Sequence, residues 1–224
     1  MPQARLILFD LDGTLIDSAP DLAGATNEML LRRGLPALPL AHLRPHVGSG
    51  ARGMLGAAFG IAPGHADFEP LKAEWFVEYE ARLLRETFVF PAVAQLLEQF
   101  ALREQCFGIV TNKAERYALP VCKGLGLAER AAVIIGGDST PHRKPHPAPL
   151  LEAARRAGVV PEDCIYVGDD ERDVIAGRAA GMLTVAVRWG YVDAGRPIEE
   201  WGADHLVETP EALHEIAFQA LAKN

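Results

Sequence analysis

Two aspartates one residue apart, Asp10 and Asp12, end the apolar run LILF, and Gly13-Thr14 follows at once. An acid pair at the end of a buried run is costly to desolvate, so its presence points to chemistry rather than to stability. Later apolar runs end the same way. CFGIV runs into Thr111-Asn112, and CIYVG runs into Asp169, Asp170 and Asp173, while Lys144 sits between them in HRKPHP. Gathered in one place, these residues offer several carboxylates, a hydroxyl, an amide and an ammonium. Clustered carboxylates repel unless a cation sits among them. Oxygen donors of this kind suit Mg²⁺, which keeps some of its waters and binds substrate phosphate. Asp10 is then a candidate nucleophile. A phosphate monoester is anionic, so attack on it requires charge neutralisation by Mg²⁺ and Lys144. Thr111 and the N–H groups of the Gly13-Thr14 turn are candidates to hold phosphoryl oxygens, with Gly13 freeing the turn. Asp12 is the candidate acid for the leaving alkoxide and the candidate base for the water that follows.

The elements that must position these residues can be read from hydropathy. Arg5 to Phe9, CFGIVTN, AAVIIGG, CIYVGDD, LTVAVRWG and DHLVET read as short strands, separated by helical stretches. The main strands are continuous apolar runs, the mark of a parallel sheet covered on both faces. In such sheets ligands bind at the carboxyl ends of the strands, where the polar sets lie. From Ser18, a plausible N-cap, to Gly34 the chain reads as a helix, and the helical signal continues to about Thr87 with no strand-like segment. The predicted fold class is α/β: a Rossmann-like parallel-sheet core in residues 1–15 and 88–224, with a helical cap domain inserted at 16–87. Pro120 is expected to kink or shorten its helix.

Bulk properties exclude some functions. A net charge of −8 argues against bulk attraction to nucleic acid or to anionic membranes. Cys106, Cys122 and Cys164 form no CxxC or Cys/His cluster, so they read as reduced, mostly core residues of a cytoplasmic protein rather than a zinc site. No apolar run approaches the length of a membrane span.

FDLDGTLID, VTN, RKP and VGDDERD, in this order and spacing, resemble the four motifs of the haloacid dehalogenase superfamily, over nearly the whole chain. The resemblance implies Asp10 as nucleophile and Asp12 as general acid/base. It implies Mg²⁺ bound by Asp10, the main-chain carbonyl of Asp12 and Asp169, with Asp173 in an outer-shell role. Thr111 and Lys144 would contact phosphate, Gly13 and Thr14 would line the substrate site, and Asn112 would support it. An acid at position 12 separates the phosphatases from the dehalogenases. DSAPDLAGATNEML, VGSGARGML and RWGYVDAGRPIEEWGAD are similar to segments of phosphoglycolate phosphatases and of the sister N-acetylmuramic acid 6-phosphate phosphatases. The implied substrate is a small phosphorylated metabolite, 2-phosphoglycolate first, handled by a cytoplasmic monomer or homodimer. A phosphosugar mutase and a non-catalytic binding protein are the alternatives.

Several residues admit two readings. Arg52 is either a specificity residue pairing a substrate anion or a surface arginine at a helix start. Asp170, often Ser in these families, and Glu171 either add charge near the metal or favour a helix N-terminus. Thr111-Asn112 taken alone is a turn and helix N-cap. Trp75, Phe76 and Tyr79 read as core of the helical block. Trp189 and Tyr191 face either the cleft or the core. His42, His46, His65, His142 and His146 read as surface or loop residues.

Overall fold

The structure, a computed structural model, describes residues 6–192 and 195–219. Arg5, Asp193-Ala194 of the RWGYVDAG stretch and the tail of the last helix lie outside the described residues. The chain divides into two compact units, Met1–Ile16 with Val89–Asn224, and Asp17–Phe88. The crossings fall at 16–17 and 88–89, where the sequence reading places them at 15–16 and 87–88.

The first unit begins with β1 (Leu6–Phe9), whose four residues are all buried. The chain leaves the unit at β2 (Ile16–Asp17), enters α1 (Ala19–Arg32), α2 (Leu40–Leu43), α3 (Gly50–Phe59) and α4 (Phe68–Glu80), and returns at β3 (Phe88–Val89), which pairs with β2. There follow α5 (Pro91–Leu102), β4 (Cys106–Val110), α6 (Glu115–Gly124), β5 (Ile134–Ile135), α7 (Ala148–Ala157), β6 (Cys164–Gly168), α8 (Glu171–Ala179), β7 (Leu183–Val187), β8 (His205–Val207) and α9 (Pro210–Gln219). The main sheet runs β5-β4-β1-β6-β7-β8, and its pairings are parallel.

Both faces of β1 are covered, which is why its sequence shows no polar alternation. Leu6 and Leu8 join Val110, Ile135, Leu150 and Tyr166 in one core layer. Phe9, on the other face, lies 6.3 Å centroid to centroid from both Phe100 and Phe107. The order of strands reverses around β1, with β4 on one side and β6 on the other. In register, Phe9 stands beside Ile109 and Val167, so the residues just past all three strands emerge at one edge.

Four details differ from the sequence reading. Ser18 stands at the N-cap of α1, but its backbone is helical and its side chain makes no cap bond; Asp17 Oδ1 accepts from Ala19 N (3.1 Å) instead. The helical block begins with β2, too short to carry any periodicity. The helix α4 stops at Glu80 because buried Asp21 takes the N–H groups of Glu86 (2.9 Å) and Thr87 (2.8 Å) and pairs with Arg82. Pro120 neither ends nor shortens α6, which runs through it with Tyr117, Ala118, Val121 and Cys122 buried on one side. Cys122 and Cys164 are buried, whereas Cys106 is exposed. Trp75 and Tyr79 stack in the core of the helical unit, and the indole of Trp75 donates to Thr26 Oγ1 (2.9 Å). The five histidines named above are exposed.

Candidate active site

Asp10 leaves the end of β1 with its N–H bonded to Val167 O (2.9 Å). The chain then folds tightly: the N–H groups of Leu15 and Ile16 return to Leu11 O, and Gly13 N donates to Ile16 O (2.9 Å). Gly13 has φ +87°, and a Cβ there would lie 2.1 Å from Asp169 Oδ2, so only glycine fits this turn. Thr14 is fully buried and its hydroxyl donates to Asp169 Oδ1 (2.8 Å). Tyr191 N donates to the other oxygen of Asp169 (2.7 Å).

Lys144 is buried among acceptors. Its ammonium donates to Asp173 Oδ1 (2.7 Å), Tyr166 Oη (2.8 Å) and Val110 O (3.0 Å). Asp10 Oδ1 lies 2.8 Å from the same ammonium, as its ion pair. Burial alone would lower the pKa of Lys144, yet Asp10 and Asp173 raise it above its ordinary value, so the ammonium stays charged. Asn112 Nδ2 donates to Lys144 O (3.0 Å), holding the loop that carries the lysine. Thr111 is buried at the end of β4, and its Oγ1 accepts from Lys113 N (3.1 Å). That is a local turn; α6 begins later, at Glu115, with Ala114 as its N-cap.

Carboxylate oxygens of Asp10, Asp169 and Asp173 all lie within 4.8 Å of one another. Burial, then the charges of Asp10 and Asp173, hold the carboxyl of Asp169 well above the ordinary range. Burial pushes Asp173 up to about 7 against the pull of Lys144. Asp170 belongs to a different arrangement. It caps α8 reciprocally with Asp173, and Arg172 grips it through Nε (2.7 Å) and Nη2 (2.5 Å). Burial opposes ionisation of Asp170, but Arg172 outweighs it and leaves its pKa below the ordinary value. Glu171 faces Arg196 (3.0 Å).

The haloacid dehalogenase-like hydrolase family matches residues 7–187. The chain is 49% identical to a phosphoglycolate phosphatase of Xanthomonas campestris, over 95% of this chain and 96% of that protein. The chain belongs to the haloacid dehalogenase-like hydrolase family. It is an enzyme of the phosphatase kind within it. It is also 39% identical to an N-acetylmuramic acid 6-phosphate phosphatase of Pseudomonas putida, over 97% of each chain. A crystal structure described as a predicted phosphoglycolate phosphatase from Haemophilus somnus superposes with a TM-score of 0.82 at 28% identity, covering 97% of this chain and 99% of that one.

The acidic cluster of this hydrolase fits a hard divalent cation. Its donors are oxygens only, and three carboxylates crowd one point. The Asp12 carboxylate is not in that cluster. Lys113 Nζ contacts both of its oxygens, at 2.9 and 3.1 Å. Arg52 belongs to the helical unit, exposed in the first turn of α3. Sequence reasoning missed Lys113, Tyr166 and Arg172. Each leaves a faint signal: a lysine directly after Thr-Asn, the lone hydroxyl in a buried strand, and a cation among motif acids. Trp189 and Tyr191 serve the site from behind. The indole of Trp189 donates to Thr14 O (3.0 Å), and Tyr191 offers its main chain to Asp169.

Proposed function

We propose that this hydrolase cleaves phosphate monoesters through an aspartyl-phosphate on Asp10. A carboxylate oxygen of Asp10 forms a bond to phosphorus as the bond to the ester oxygen breaks, and Asp12 gives its proton to that leaving oxygen. Asp12 then takes a proton from water, whose oxygen bonds to phosphorus as the Asp10–phosphorus bond breaks. Inorganic phosphate is released and Asp10 is restored. Lys144 keeps a positive charge against Asp10 throughout, while Thr111 and the N–H groups of Gly13 and Thr14 hold phosphoryl oxygens. Asn112 fixes the main chain of Lys144. Asp10, the main-chain carbonyl of Asp12 and Asp169 would hold Mg²⁺, with Asp173 behind them. When bound, the ion neutralises phosphoryl and carboxylate charge. The single observation that carries this reading is Asp10 Oδ1, a buried carboxylate oxygen 2.8 Å from the charged ammonium of Lys144.

The proposed substrate is 2-phosphoglycolate, on the strength of the 49% identical relative. The 39% identical relative supports N-acetylmuramic acid 6-phosphate as the second reading. Arg52 is the proposed specificity residue, pairing a substrate carboxylate. Phosphate release from both compounds, from other sugar phosphates and from p-nitrophenyl phosphate, with Mg²⁺ and with EDTA, tests the proposal. One metabolite should lead, EDTA should abolish its turnover, and Asp10→Asn should remove activity on all of them. Arg52→Ala should raise KM for the leading metabolite more than for p-nitrophenyl phosphate. Turnover surviving Asp10→Asn would overturn the covalent mechanism.

A further inference from the structure

Lys113 directly follows the Thr111-Asn112 pair and lies far along the chain from Asp12, yet it embraces the Asp12 carboxylate at 2.9 and 3.1 Å. The pair is largely buried: 8% of the Lys113 side chain and 18% of the Asp12 side chain are exposed. A flexible lysine loses rotamer freedom on being held this way, so the contact is built rather than incidental. It rests on a short loop. Lys113 N is fixed by Thr111 Oγ1 (3.1 Å), and Lys113 O accepts from Gly137 N (2.8 Å). A Cβ at Gly137 would lie 2.2 Å from Asn112 O, so the two loops pack backbone to backbone.

We propose that Lys113 is the positioning residue for Asp12. This rests on the assignment of Asp12 as the acid and base of phosphoryl transfer. Asp12 follows two residues after Asp10, whose carboxylate crowds those of Asp169 and Asp173, and Lys113 gives the Asp12 carboxylate a cation of its own outside that cluster. Lys144 serves Asp10 and Asp173; Lys113 serves Asp12. One Asp12 oxygen can remain on the ammonium while the other meets the leaving oxygen, which fixes the carboxylate rotamer at the moment of proton transfer.

The chemistry supplies a selective test. A good leaving group needs little help from an acid, whereas a basic one needs much. The ratio kcat/KM ends at departure of the leaving group, so later hydrolysis of the aspartyl-phosphate does not enter it. The substrates are p-nitrophenyl phosphate, phenyl phosphate and 4-methoxyphenyl phosphate, of rising leaving-group basicity and similar size. For Lys113→Met, kcat/KM on the 4-methoxyphenyl ester should fall about 10- to 100-fold, within the range of general-acid contributions, while p-nitrophenyl phosphate changes by less than about 3-fold. Asp12→Asn should show the same tilt, and the double variant should be no worse than Asp12→Asn. Lys113→Arg, which keeps the charge, should restore most of the lost rate.

Equal losses on all three esters would make Lys113 a substrate or structural contact and overturn the inference. So would additive losses in the double variant. Those outcomes leave the phosphatase reading standing if wild type turns over the esters and Asp12→Asn tilts the series. No turnover by wild type would overturn both.

Discussion

Asp169 has almost no freedom to move. Thr14 and Tyr191 N each take one of its oxygens, and two glycines press on the side chain. A Cβ at Gly190 would lie 2.3 Å from Asp169 Cβ, closer than real atoms come. Gly190→Ala should therefore push Asp169 out of the acidic cluster while the protein remains folded. Groups that orient a metal ligand typically contribute 10- to 100-fold to affinity, so Mg²⁺ binding by calorimetry should weaken by at least about 10-fold. Unchanged affinity would show that Asp169 does not hold the ion. The residues proposed to carry chemistry, and found at the ends of neighbouring strands, were largely legible. Asp10, Thr111 and Asp169 stand out because an acid or hydroxyl at the end of an unbroken apolar run has no packing reason to be there. Lys113, Tyr166 and Gly190 were not. A lysine in a loop, a tyrosine in a strand and a glycine before an aromatic residue all have ordinary uses. Only the fold reveals that they meet Asp12, Lys144 and Asp169.

Helix α6 carries a proline in its interior, and that is a defect with a measurable size. Pro120 cannot donate to the carbonyl four residues back, at Arg116, and its ring crowds that turn. The helix persists because one side is buried, while Pro120 itself faces solvent. Replacing it with alanine restores a donor and relieves the clash, offset by added freedom in the unfolded chain. Pro120→Ala should stabilise the protein by about 1–2 kcal/mol, raising Tm by about 3–6 °C for a chain this size. An unchanged or lower Tm would mean that the proline is fully accommodated. The elements were read unevenly from the sequence, for a physical reason. Long apolar runs and amphipathic helices announce themselves through periodicity, so β1, β4, β6, β7 and α7 were legible. The pairing of β2 with β3 and the early end of α4 were not. Two-residue strands have no period, and α4 ends because Asp21, distant in sequence, captures the backbone that would have continued it.

For the whole molecule, the acidic cluster links stability, pH and metal. In the unfolded chain, carboxyls such as Asp169 and Asp173 titrate near about 3.9. In the metal-free fold Asp169 is held well above that and Asp173 is pushed up to about 7, in both cases mainly by burial. Between those values the folded protein binds more protons than the unfolded chain. This share of the stability is fully present below about pH 4 and is lost as pH rises through about 7. A bound cation reverses the trend, because it needs the ionised carboxylates and displaces their protons. The gain in Tm on adding Mg²⁺ should thus be largest above about pH 7.5 and should shrink as pH falls. Each proton displaced weakens apparent affinity about tenfold per pH unit below 7, or about 1.4 kcal/mol near saturation. For a chain this size that is about 3–5 °C of lost shift per pH unit. Comparing melting with Mg²⁺ and with EDTA at each pH cancels the many exposed ion pairs, which titrate alike in both. A shift of equal size at about pH 5.5 and pH 8 would mean that the ion does not compete with protons for this cluster. The cation would then have to bind elsewhere, and the charge that Asp10 needs neutralised would rest on Lys144 alone.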